Sequence, residues 1–258
     1  MRLSKYPIIE FDETTNVLID VTKNLHSEEP LPTACVISYF GEAVRQYIKE
    51  NNGVQCGKLV LETFELPLYK VIVFNTEVVI LHGLGSGPYA AGQMEKLIAM
   101  GCRQFMVCGG CGVLSKGSKR GQVYIPVKAV RDEGTSYHYV KPSREIDLPS
   151  SVKEQVASFL KKRNISYSCV KTWTTDAMYR ETLTSVAFRK QEGCDVVEME
   201  CASLYAVAEY KQVPLGLLLY AGDDISGKVW DSRDWKSDHG TRFLLLDLAV
   251  QLVPSLKL

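Results

Sequence analysis

Val197-Glu198-Met199-Glu200-Cys201-Ala202, followed by the run Leu215–Tyr220 and then Gly222-Asp223-Asp224, decides the reading of this chain. The first stretch reads as a short strand, Val196–Met199, feeding a helix that runs to about Tyr210. The second is an unbroken apolar run of strand length, and it ends in paired carboxylates. Two acidic clusters therefore stand at the ends of neighbouring strands, where open α/β sheets gather their ligands.

Working outward, strands and helices alternate. Tyr69–Phe74 and Glu77–His82 read as adjacent strands joined by a polar turn at Asn75-Thr76. From Pro88 to Met100 the apolar residues Ala90, Met94, Leu97 and Ile98 recur at helical spacing, and Pro88 suits a first helical turn. Phe105–Cys108 returns as a strand, and Gln122–Val130 is another, opened by Gly121. Val152–Arg163 is amphipathic, Tyr167–Trp173 is a strand, Thr184–Lys190 is helical, and Thr241–Val253 closes the chain as a helix stopped by Pro254. This alternation predicts an α/β fold with a mostly parallel or mixed sheet covered on both faces. Neither a repeat nor a Pro/Gly/Ser-rich linker divides the chain, so residues 1–258 are expected to form one domain.

Composition narrows the function. Lys plus Arg equals Asp plus Glu at 30 each, which leaves no basic surplus for nucleic acid and no polybasic membrane anchor. Met1–Pro7 lacks the apolar centre of a signal peptide, and no apolar run reaches the roughly 18 residues of a membrane span. A cytoplasmic protein is expected. Eight cysteines lie mostly in apolar surroundings, as reduced buried thiols do. Cys108 and Cys111 form a C-x-x-C, but no second pair lies nearby to complete a zinc site. No metal and no organic cofactor is expected.

Six segments carry candidate chemistry. His82-Gly83-Leu84-Gly85-Ser86-Gly87 leaves a strand and enters a helix, a place that suits an anion or simply a tight turn. Cys108-Gly109-Gly110-Cys111-Gly112 reads as a second glycine-rich turn at a strand's carboxyl end. In Arg131–Tyr139, His138 is either a ligand contact or a satisfied imidazole. In Trp173–Thr182, Arg180 offers a planar fork to a carbonyl or an anion, or pairs with Asp176 or Glu181. Glu200 is the strongest candidate, because one carboxylate accepts from both hydroxyls of a cis-diol. A helix N-terminal glutamate stabilised by the dipole is the plainer alternative. Asp223 suits an acid that protonates a leaving base, with Asp224 as second choice, since adjacent carboxylates push one pKa upward.

Taken in order, these segments resemble the nucleoside phosphorylase and nucleosidase superfamily, over roughly Cys35 to Asp224. The Glu-Met-Glu segment resembles its ribose-binding motif, Asp223 its base-facing acid and Gly109–Gly112 its central glycine loop. The segments after Arg131 and Trp173 resemble those of uridine phosphorylase relatives. The resemblance implies a mixed central sheet partly closed into a barrel and flanked by helices, a three-layer phosphorylase-like fold. It implies a homo-oligomer (dimer, trimer or hexamer) with active sites at subunit contacts.

By the same resemblance, Glu200, Met199 and Glu198 would hold ribose, with Glu198 behind the other two. Met178, Tyr179, Arg180 and His138 would meet the base, and Gly41, Glu42, Arg45, Gly109, Gly110, Cys111 and Gly112 would line the nucleophile site. The expected reaction is phosphorolysis of a purine or pyrimidine nucleoside to ribose 1-phosphate and free base. The phosphorylase Gly-Asp-Pro-x-x-Arg loop, however, is replaced here by Ser38–Arg45, with no aspartate after Gly41 and Val44 in place of the arginine. Val107 stands where a second phosphate arginine is expected. Arg45, Arg180 or a neighbouring subunit would have to supply the positive charge. Hydrolysis, with Glu42 orienting water, and nucleoside binding without catalysis are the alternatives.

Overall fold

A computed structural model describes residues 3–24 and 30–258. Met1 and Arg2, included in the leader reading, lie outside it. The element that organises the sheet was not assigned from sequence. β1 (Ala34–Ser38) is buried at every position, so it shows no alternation to read. It lies parallel between β4 (Thr76–His82) and β5 (Gln104–Val113). On the β4 side the sheet continues antiparallel through β3 (Glu65–Val73) to β2 (Val54–Val60). The β3–β4 turn falls at Phe74 and Asn75, both at positive φ, one residue earlier than expected.

On the other side, β5 is long enough to serve two neighbours beyond β1. It pairs in parallel with β10 (Leu215–Asp224) and antiparallel, at Gly112 and Val113, with β9 (Val196–Glu198). From β9 the path runs through β8 (Tyr167–Thr175) and β6 (Val123–Asp132) back to β10. Five strands thus close into a barrel inside the larger mixed sheet. The short β7 (Glu145–Asp147) edges β6.

The expected glycine-rich turn at Cys108–Gly112 is therefore strand. Glycine weakens a strand unless something needs the space, and here something does. A methyl group on Gly110 would sit 3.2 Å from the Tyr220 ring, and one on Gly112 3.0 Å from Val197. Likewise Asp223 and Asp224 lie within β10, not after it.

Helices cover both faces. α1 (Gly41–Glu50) packs on α6 (His239–Leu252), and α2 (Gly87–Ala99) packs on α5 (Cys201–Lys211). α3 (Ser150–Lys162) lies on β6 and β10, and α4 (Leu183–Gln191) follows β8. α5 is buried from Cys201 to Ala208, which explains its small and apolar composition on every side. It stops at Gln212 in the left-handed conformation. Asp238 caps α6 by accepting from the Thr241 N–H at 3.2 Å, satisfying one of the free donors of its first turn. All eight cysteines are free thiols, and Cys108 and Cys111 are both buried. Among the described residues, no helix is long and apolar enough to cross a membrane, and no cluster of His, Cys, Asp or Glu is arranged to hold a metal ion.

Candidate active site

The two glutamates of the Glu-Met-Glu segment have different jobs. Glu198, at the end of β9, is buried and accepts four hydrogen bonds. Two come from Thr172 Oγ1 (3.2 Å) and Thr174 Oγ1 (2.6 Å), and two from the backbone N–H groups of Glu200 (2.7 Å) and Cys201 (2.6 Å). It ties the start of α5 to β8. Burial raises its pKa, and the hydrogen bonds oppose that rise.

Glu200 is held by less. Its Oε1 accepts from the Ser86 N–H at 2.7 Å. Burial first, then the Glu198 charge, push its carboxyl up to about 8. Ser86 takes φ 94° and ψ 149°, a conformation that favours glycine and costs about 1–3 kcal/mol in another residue. That strain sits at the N-terminus of α2, in the turn His82–Gly87 that suited either an anion or a simple tight turn. The group its Ser86 N–H meets is the protein's own Glu200 carboxyl.

Tyr39 completes this corner and was not singled out in the sequence. It follows β1, with its N–H donating to the Cys108 carbonyl at 3.0 Å. Its ring lies in a slot between two glycines. A methyl group on Gly83 would fall 2.5 Å from ring carbon Cε1, and one on Gly109 would fall 3.3 Å from Cδ2. The Tyr39 hydroxyl is buried with no hydrogen-bond partner in the protein. Burial, then the charges of Glu200 and Glu198, raise its pKa well above the ordinary phenol value, so it stays a neutral donor.

Across the barrel mouth, Asp223 Oδ2 accepts from Trp230 Nε1 at 2.7 Å. Its Oδ1 is 3.6 Å from where a side chain on Gly112 would begin, so the glycine keeps that approach open. Asp224, the second-choice acid, is engaged elsewhere. It pairs with Arg233 and accepts from the Ser226 N–H at 2.7 Å. Burial works against its ionisation, but these partners hold its carboxyl below the usual range, the opposite of a proton donor at neutral pH. Glu181, expected only as an Arg180 partner, is pushed up to about 7 by its burial and then by the Asp223 charge.

The remaining predicted residues do not converge in one chain. Met178–Arg180 form one 3-10 turn, with Met178 47% and Tyr179 95% exposed, so neither packs on an interior face. Asp176 accepts from the Gly134 N–H at 2.8 Å and makes no ion pair with Arg180. His138 is exposed at the end of another 3-10 turn. Behind it, buried Glu133 accepts from the Thr135 and Ser136 N–H groups and from Ser203 Oγ, which fixes the loop. Glu42, the suggested water-orienting group, is exposed and 3.4 Å from His239 Nδ1. Val44 is core. Arg45 is exposed, and its guanidinium lies beside Gly41. His82 stays neutral more readily than an ordinary histidine, because of its burial and the nearby Arg45 charge.

Glu200 thus meets the strained start of α2 and is backed by Glu198, and Asp223 stands beside Gly112 of β5. The sequence pattern of the phosphorylase superfamily matches residues 33–243. The chain belongs to the phosphorylase superfamily. Among superfamily relatives, the guanosine phosphorylase of Halorubrum lacusprofundi is 24% identical over 162 residues, 62% of this chain and 67% of that protein. The curated relatives are matched over about two thirds of their length or less, 67% in that case and 62% in another. The uridine phosphorylase of Vibrio fischeri ES114 superposes with a TM-score of 0.74 at 14% identity, over 90% of this chain and 100% of that one. The futalosine hydrolase of Helicobacter pylori strain 26695 superposes with a TM-score of 0.70 at 14% identity, over 86% and 97%. A phosphorylase and a hydrolase thus share the fold described above.

Proposed function

We propose that this chain cleaves the N-glycosidic bond of a nucleoside. The observation that carries the reading is the Glu200 carboxyl, fixed by the Ser86 N–H in a glycine-lined corner and placed by Glu198. Such a group accepts from the 2′ and 3′ hydroxyls of ribose together. Met199 lies between the two glutamates, where it would pack on the sugar. Asp223 gives a proton to the departing base, which makes it a better leaving group. An acid at that place favours purines, whose ring nitrogens accept the proton.

Phosphate is the nucleophile expected from the sequence. Arg45, beside Gly41 and His82 on the exposed side of α1, is the cation that this loop retains. The exposed Met178, Tyr179 and His138 suit a homo-oligomer in which a second copy closes over the base. Base release from a panel of purine and pyrimidine nucleosides, with and without phosphate, tests the reaction class. Release from at least one ribonucleoside is expected, and silence across the panel refutes it.

A further inference from the structure

We propose that Tyr39 makes this site hydrolytic: its ring fills the corner beside Glu200, and its hydroxyl holds the attacking water. The inference rests on glycosidic cleavage as proposed above and names the nucleophile. Three observations carry it. First, the phenol ring occupies the slot walled by Gly83 and Gly109, space that a larger nucleophile would need. Second, the hydroxyl is buried without a protein partner, and buried polar groups seldom stay unpaired unless a ligand or water pairs them.

Third, the ionisable side chains acting on Tyr39 include the carboxyls of Glu200 and Glu198 and no cation, and those acting on Glu200 include Glu198 and Asp176. Two other guanidinium groups are committed. Arg131 donates to Ser136, Lys141 and Ser143, and Arg242 donates to the Tyr220 hydroxyl while lying against Phe40 and Trp235. Arg45 is exposed on α1. Anion sites are built from charge-assisted donors or a nest of N–H groups, and an uncharged phenol takes that place here.

In the step, the water oxygen forms the bond to the anomeric carbon. The pair of the C1′–N bond leaves with the base, and Asp223 supplies the proton the base takes. One hydrogen of the water stays on the new sugar hydroxyl. The other passes to the site carboxyls and restores the Asp223 proton, so nucleoside and water become free sugar and base.

The experiment is turnover in ¹⁸O-labelled water with millimolar phosphate present, using the wild type and Tyr39→Phe. The expected result is labelled oxygen on the sugar, no sugar 1-phosphate, and a rate indifferent to phosphate. Tyr39→Phe should lower kcat by about 10- to 100-fold with KM nearly unchanged, since it removes a contact made to the nucleophile alone. Its Tm should not fall, because the lost hydroxyl had no protein partner. Sugar 1-phosphate as product overturns the assignment while leaving glycosidic cleavage intact. So does an unchanged kcat in Tyr39→Phe. Absence of base release from every nucleoside refutes the underlying reaction, and the assignment falls with it.

Discussion

Replacing Glu200 with Gln should make the protein more stable and far less active. Burial and the Glu198 charge push the Glu200 carboxyl from 4.5 up to about 8. A carboxyl whose folded pKa is raised binds its proton more tightly when folded. Its contribution to stability is complete below the unfolded value and is lost as pH rises toward the folded one. At about 1.4 kcal/mol per pH unit, the loss is about 3 kcal/mol at pH 7 and about 5 kcal/mol above pH 8. Glutamine keeps the shape and an oxygen for the Ser86 N–H, and it has no charge to lose. Urea unfolding of both proteins at about pH 6 and about pH 8.5, with equal m-values, measures the difference. The variant's advantage should widen by about 2 kcal/mol or more between them. Meanwhile kcat/KM should fall by about 100-fold or more, because an amide donates where the ribose hydroxyls need an acceptor. An advantage that is absent, or that shrinks as pH rises, would refute the picture of a carboxyl strained by burial.

Two further outcomes follow from the geometry. Asp223→Asn should lower kcat by about 10²- to 10³-fold on ordinary purine nucleosides. It should cost much less on a 7-methylated purine nucleoside, whose base leaves without a proton, and equal losses on both would exclude the acid role. Gly87→Ala would drive a methyl group into Ser203 Oγ, which donates to Glu133 at 2.6 Å. It should cost about 1–3 kcal/mol in a thermal melt, with part of that recovered on adding Ser203→Ala.

Much of the fold was legible because its signals are local. The helix over Gly87–Ala99 and the strand over Thr76–His82 announce themselves by period and by flanking turns. β1 does not, since Ala34–Ser38 is buried on both faces and too short to separate from a helix fragment. Barrel closure is harder still, because it depends on β5 reaching Gly112 and Val113 to meet β9. A run of Cys108-Gly109-Gly110-Cys111-Gly112 reads as a turn on propensity alone. Only the neighbours that fill the missing side-chain space, Tyr39, Tyr220 and Val197, explain why it stays extended.

The site divides the same way. Glu200 and Asp223 were visible as carboxylates closing apolar strands, a pattern of adjacent residues. Ser86 and Tyr39 were not, because a positive φ and an unpaired hydroxyl exist only in the folded chain. The sharpest case is the pair in Glu198-Met199-Glu200. The two residues are chemically identical and two positions apart, yet four donors claim Glu198 and make it part of the frame. Glu200 accepts from Ser86 at the strained start of α2 and is left beside an unpaired phenol. Which glutamate is structure and which is free for a ligand is thus set by Thr172, Thr174 and the backbone of α5. Burial raises both carboxyls, and against that rise Glu198 sets its four donors, while the Glu200 side chain has the Ser86 N–H and room for a ligand's hydroxyls to supply the donors it lacks.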